Sequence, residues 1–221
     1  MIIGKPTPGV MGFTVERVNA LSDGVFAVAI TLLAVGIAVP TIRGTVTNAK
    51  LAHGLAELWP HFFSYFLSFV IIAMFWISHH SLFSVIRRVD KMLIWMNIFY
   101  LLLIVFMPYP TILLSLYGKT AVATALYASV LAAAGILQGT MGFYAVRGRR
   151  LVDDDFDLRE AGAYLRNAFM MSGVFIISIG IAFASPTIAQ FSWLLLFLIP
   201  LVERLISKKK RAEPGTETQE V

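Results

Sequence analysis

Six apolar runs, each about as long as the hydrocarbon core of a bilayer is thick, restrict this chain to very few folds. They read as spans at about Arg17 to Val39, Leu58 to His80, Leu93 to Leu116, Ala121 to Val146, Gly162 to Ala184 and Ile188 to Ile206. In lipid every backbone N–H and C=O must be satisfied within the protein, which leaves helices and closed barrels. Barrel strands are short and alternate in polarity, whereas these runs are long and apolar on most faces, so an all-α membrane protein with six transmembrane helices is expected. The composition agrees: 58% of residues are hydrophobic and 14% charged, where soluble domains carry about 25% charged residues.

The basic residues set the expected orientation. With both termini in the cytoplasm, all but Arg43, Lys50 and Lys119 of the 18 Lys and Arg fall on the inner side, as the positive-inside rule requires. The net charge of +5 is therefore a topology signal and calls for no nucleic-acid partner. The absence of cysteine excludes disulfides, thiolate metal sites and a cysteine nucleophile. No small-residue cleavage site follows the first apolar run, which is expected to remain as a signal anchor. Residues 1–16 read as a cytoplasmic segment, 17–206 as one transmembrane unit and 207–221 as a basic stretch followed by a polar tail. The connections from Thr41 to Glu57 and from Gly148 to Glu160 read as the long loops, and Pro108 and Pro110 predict a kink or break in the third span.

The first span is polar where a span is seldom polar. A helix starting after Gly24 and closed by Pro40 holds only Val25 to Val39, too short to cross, so Ser22 and Asp23 are expected inside the membrane. An ionisable group there costs several kcal/mol unless partnered, which marks it as structural or functional. With this topology Arg17, Ser22 and Asp23 on span one, His79 and His80 on span two and Asn97 on span three share the inner leaflet. A histidine or Arg17 is the expected partner of Asp23, a neighbouring helix being favoured because Arg17 lies six residues away. Such a network either only fixes how three helices pack or also positions a transport pathway.

These residues carry a resemblance. Arg17-x-x-x-Leu21-Ser22-Asp23-Gly24-Val25-Phe26-Ala27, then Trp76-x-x-His79-His80-x-x-Phe83, then Trp95-x-Asn97 with Met107-Pro108-Tyr109-Pro110-Thr111, resemble the prokaryotic members of the TMEM175 potassium channel family. Leu21 stands where that family usually has phenylalanine. The resemblance implies a homotetramer in the bacterial plasma membrane, with the first helix of each copy lining a pore that passes K⁺ in preference to Na⁺. Animal relatives carry two such repeats per chain. It places Trp76 with Arg17, Ser22, Asp23, His79, His80 and Asn97 in the inner network, and implies no cofactor beyond the permeant ion. No Thr-Val-Gly-Tyr-Gly carbonyl filter is present, so selectivity must arise elsewhere.

Helical spacing on span one puts Val28, Leu32, Val35 and Val39 on one face, with Thr31 beside them. Four copies would stack these as apolar rings that gate by dewetting. The resemblance maps the innermost constriction to Val28 and a threonine of the pore to Thr31, whose hydroxyl has an alternative bond to its own backbone one turn earlier. Leu33, about 100° round from Leu32, is expected to face other helices or lipid. Without the resemblance such a face reads as packing or lipid contact. Two further readings are a secondary transporter, for which no inverted repeat is visible, and a proton-coupled permease using Asp23 with His79 or His80.

The remaining features rank lower. Asp153 to Asp157 lacks the glycine and distal glutamate of a calcium loop and reads as a solvated acidic turn. Lys208 to Arg211 reads as a positive-inside anchor. Gly135-x-x-x-Gly139 permits close helix approach, and His53 and His61 read as interfacial. No nucleophile and base pair or phosphate loop stands out, so an enzyme is not expected.

Overall fold

In a computed structural model the described residues, 13–153, 155–156 and 158–198, are helices joined by short connections, with no strand among them. Helix α1 runs Val15–Val35, α2 Asn48–Glu57, α3 Trp59–Val85, α4 Lys91–Phe106, α5 Pro108–Tyr117, α6 Ala121–Val146, α7 Leu158–Ala184 and α8 Pro186–Ser192. Among the described residues five stretches are long and apolar enough to cross a membrane: α1, α3, α4 with α5, α6 extended to Arg149, and α7 from Leu165. The sixth expected span is described only to Leu198, as α8 and a 3-10 turn, Trp193–Leu198; its remainder, like Lys208 to Arg211, lies outside the described residues.

Local chemistry explains most boundaries. The side chains of Thr14, Thr47, Asp90, Thr120 and Ser185 each accept a backbone N–H in the first turn of α1, α2, α4, α6 and α8. Proline opens α3 and α5, where its missing N–H costs no intrahelical bond. The third span does break at Met107, because Pro108 and Pro110 withhold two donors from the preceding turn.

Two expectations about the first connection need correction. α1 ends at Val35 instead of Val39, and the Gly36 and Ile37 amides close on Leu33 and Ala34 in a tighter 3-10 turn at 3.2 Å. Gly36 is needed there: a β-carbon would lie 2.6 Å from Cγ1 of Ile112 on α5. The helix still spans, since its 21 residues rise about 31 Å, but it does so by beginning at Val15. Val39 therefore lies beyond the helix and off its stripe. The stretch Thr41 to Glu57 is also no plain loop, for Asn48–Glu57 forms α2.

The core lies where α6 packs along α7 and against α4. Gly135 and Gly139 bring α6 onto α7: a β-carbon at Gly135 would collide with the Ser172 hydroxyl, and one at Gly139 would lie 3.0 Å from the Phe169 ring. In lipid no hydrophobic force draws helices together, so such close packing and hydrogen bonds between helices carry the association. Trp193 is fully buried, stacks on Tyr127 at 4.8 Å and donates its indole N–H to Ser178 Oγ at 2.9 Å.

The Asp153 turn is less free than its sequence implies. Asp153 pairs with Arg87 Nε at 3.0 Å, Leu151 O accepts from the Arg87 amide at 2.8 Å, and Leu151 and Val152 are buried. Next to it Asp90 Oδ2 accepts from the Tyr144 hydroxyl at 2.6 Å and pairs with Arg150 Nε at 3.3 Å. Burial alone would raise the Asp90 carboxyl, but the Leu93 amide, the Tyr144 hydroxyl and the Arg150 guanidinium together hold it below the usual carboxylate range.

Candidate pore face and its polar anchor

Helix α1 has two faces with opposite fates. Val18, Ser22, Phe26, Ala29 and Leu33, spaced by three and four, are buried against α3, α4 and α5. Val28, Leu32 and Val35 remain 50%, 42% and 79% exposed, and Thr31 lies exposed between them. The four candidate pore residues thus share one open arc of about 100°, and Leu33 is turned inward.

A chain of hydrogen bonds holds the buried face. The Ser22 hydroxyl donates to Val18 O at 2.8 Å, and its oxygen accepts from Asn97 Nδ2 at 3.1 Å. Asn97 Oδ1 lies 2.8 Å from His79 Nε2, so the ring nitrogen is the donor and every member of the chain is directed. The three side chains are buried. The His79 ring is fixed between Phe83, stacked at 4.4 Å, and Tyr100, stacked at 5.3 Å, with Phe26 against it at 5.8 Å. Residues from spans one, two and three therefore meet in one place.

Asp23 does not join that chain, which corrects the expected partner. It accepts the indole N–H of Trp76 at 2.8 Å, at the exposed margin between α1 and α3. The reason is angular: Asp23 follows Ser22 and is rotated about 100° from it, away from Asn97 and His79. On α3, His80 lies one turn after Trp76, its ring 5.8 Å from the indole, so this histidine belongs to the exposed margin as well. The Arg17 side chain is exposed, and no hydrogen bond or ion pair of its guanidinium occurs among the described residues.

On the open face Thr31 Oγ1 lies 2.9 Å from both Ala27 O and Val28 O. Its single proton is directed to its own backbone, and the oxygen's lone pairs are free toward the exposed side. No group of three His, Asp or Glu side chains suited to a metal occurs among the described residues.

A second polar cluster had no reading from sequence. The Thr111 hydroxyl donates to Met107 O at 2.8 Å and lies 2.9 Å from Ser68 Oγ, which in turn lies 2.9 Å from the Tyr127 hydroxyl. Gln138 Nε2 reaches Phe75 O at 3.4 Å and Gln190 Nε2 reaches Gly118 O at 2.6 Å. Polar side chains inside apolar runs were the available signal, since each must find a partner in lipid.

The molecule is thus a multi-pass helical membrane protein whose first span is fastened by a buried Ser–Asn–His chain on one face and left open on the other. Residues 17–108, which hold every member of that arrangement, match the family model described as endosomal/lysosomal potassium channel TMEM175. A protein of Streptomyces collinus named as a potassium channel is 34% identical over 82% of this chain and 89% of its own length. The chain belongs to the TMEM175 family, a family of ion channels and no class of enzyme. The crystal structure of a lysosomal potassium-selective channel TMEM175 homolog from Chamaesiphon minutus superposes with a TM-score of 0.74 at 30% identity, covering 85% of this chain and 96% of that one. The endosomal/lysosomal proton channel TMEM175 of Bos taurus is 42% identical over 81 residues, 34% of this chain and 17% of the animal protein.

Proposed function

We propose that this chain is the subunit of a potassium-selective cation channel in which the open face of α1 lines the pore. The observation that carries this reading is the two-faced first helix, with Ser22 tied to Asn97 and Asn97 to His79 while Val28, Thr31, Leu32 and Val35 stay uncovered. The bacterial relatives' name as potassium channels supports the choice of ion. One chain with one such helix cannot enclose a pore, so identical copies close around an axis; the resemblance to the family gives four copies in a bacterial plasma membrane, and the basic residues put both termini in the cytoplasm.

In that assembly Val28, Leu32 and Val35 form successive apolar rings. A narrow apolar ring forces an ion to shed water, and Na⁺ holds its water more tightly than K⁺, so the ring discriminates without a carbonyl filter. Thr31 supplies a ring of hydroxyl oxygens between them whose protons are already committed to the backbone. The permeant ion is cargo and no resident cofactor is needed.

Passage of protons is the second reading, favoured by the name of the animal relatives and by the Asp23 carboxylate at the exposed margin. Purified protein in liposomes under matched K⁺, Na⁺ and H⁺ gradients separates the readings. A K⁺ channel gives K⁺ flux above Na⁺ without saturable counterflow, and mass measurement of the detergent particle gives four copies. Counterflow would mark a carrier, and flux carried by H⁺ alone a proton pathway.

A further inference from the structure

Among the described residues, those of α2 are all left unburied, yet the two faces of this helix differ sharply. Lys50, His53, Gly54 and Glu57 border an open cleft with Thr41 and Arg43 of the segment leaving α1. A β-carbon at Gly54 would sit 2.9 Å from Cβ of Pro40, so this side of the helix rests on that segment. The opposite side carries Leu51 and Leu55, and one further turn on comes Trp59 at the start of α3; these are 40%, 46% and 66% exposed. Leu51 and Leu55, four residues apart, lie in one row of α2, and Trp59 follows directly beyond the interruption at Leu58.

Chain continuity fixes where this row stands. α2 passes through Leu58 alone into α3, whose 27 residues rise about 40 Å against a hydrocarbon core of about 30 Å. Whichever end carries the surplus, the start of α3 lies at or outside the edge of the core, and α2, joined to it by Leu58 alone, is kept beside the membrane surface. At that depth two leucines in one row, followed at the start of α3 by a tryptophan and backed by Lys50 and Arg43 on the far side, have the chemistry of an interfacial helix. We propose that α2 lies in the headgroup layer of the leaflet at this end of the protein, with Leu51, Leu55 and Trp59 in the acyl boundary and the Lys50, His53 and Glu57 face turned to the exit of α1. Lipid is the occupant of the leucine row. The inference rests on the chain spanning a membrane and is independent of what it conducts.

The chain has no cysteine, so single-cysteine variants of the full protein take a spin label at one chosen site. Leu51→Cys, Ala52→Cys, His53→Cys, Leu55→Cys and Glu57→Cys replace residues that the fold leaves unburied. Each labelled variant is reconstituted in phosphatidylcholine and phosphatidylglycerol liposomes, and its collisions with oxygen, which partitions into lipid, and with a water-soluble nickel chelate are measured. Labels at Leu51 and Leu55 are expected to show a severalfold higher oxygen-to-nickel ratio than those at His53 and Glu57. Nickel-dominated collisions at Leu51 and Leu55 would place the row in water, and low accessibility to both reagents would place it against a second copy of the chain. Either result overturns the proposal.

Discussion

Helices α1 and α6 are both apolar spans, but 61% of the membrane-length stretch of α6 is buried within its own chain against 28% for α1. α6 is complete by itself: glycines at 135 and 139 admit α7, and small alanines let its other sides close on neighbours. α1 is finished on one side only, by Ser22, Phe26, Ala29 and Leu33, and spends its most specific residues on that fastening. A helix enclosed by its own chain tells how the subunit holds together, whereas one fastened along a single edge tells where the subunit stops being self-sufficient.

The largest effect is expected on the enclosed helix. Gly135→Leu drives a side chain into Ser172 and should cost about 1–3 kcal/mol or more, read as a lower Tm of the detergent-solubilised protein. Gly24 lies on the open side of α1, with no heavy atom within 4 Å of where a β-carbon would stand, so Gly24→Leu should leave the Tm of the subunit near that of the parent while lowering conductance. If both glycine variants unfold alike, the contrast between the helices is wrong.

On the fastened edge, Asn97→Ala leaves His79 Nε2 and the Ser22 oxygen without their partner, a loss of about 1–3 kcal/mol. Trp76→Phe removes only the donor to Asp23 at the exposed margin and should cost about 1 kcal/mol. Thermal denaturation of the two variants, run side by side, orders them; a Trp76→Phe loss exceeding that of Asn97→Ala would mean that the Asp23 bond, and not the buried chain, anchors α1.

The smallest effect is electrostatic and lies outside the membrane. Because the Asp90 carboxyl is held below its ordinary range in the folded protein, its contribution is present above the unfolded value and is lost as pH falls through the folded one. The Tm of the parent should therefore drop on acidification below the usual carboxylate range, and Asp90→Asn should be less stable at neutral pH with a flatter acid limb. An equally steep limb in the variant would remove Asp90 from the account.

Much of the fold is legible in the residues because lipid is an unforgiving solvent. Five of the expected spans lie close to their read limits, and α6 lies at the read limits themselves, since apolar length and a capping Thr120 define a span without reference to the rest of the fold. The meeting of Ser22, His79 and Asn97 follows from shared depth. Depth carries no information on rotation, which is why sequence pairs Asp23 with a histidine or Arg17 when the indole of Trp76 is its partner. The end of α1 is misplaced from sequence because Pro40 is the visible terminator, whereas the chain already tightens into a 3-10 turn at Gly36 and Ile37. α2 is hidden because ten residues with a narrow leucine row resemble a loop when judged by length. The cluster of Ser68, Thr111 and Tyr127 joins three helices whose mutual rotation only packing sets.

The direct test of the open face is the reversal potential in planar bilayers with K⁺ on one side and Na⁺ on the other. Val28→Asn and Leu32→Asn wet an apolar ring and should move the reversal potential toward zero with a larger basal current, because the dehydration penalty against Na⁺ is lost. Leu102→Asn, also exposed but on α4, should leave it at the parent value. An unchanged reversal potential for both α1 variants, with a shift for Leu102→Asn, would contradict the assignment of the α1 face to the pore.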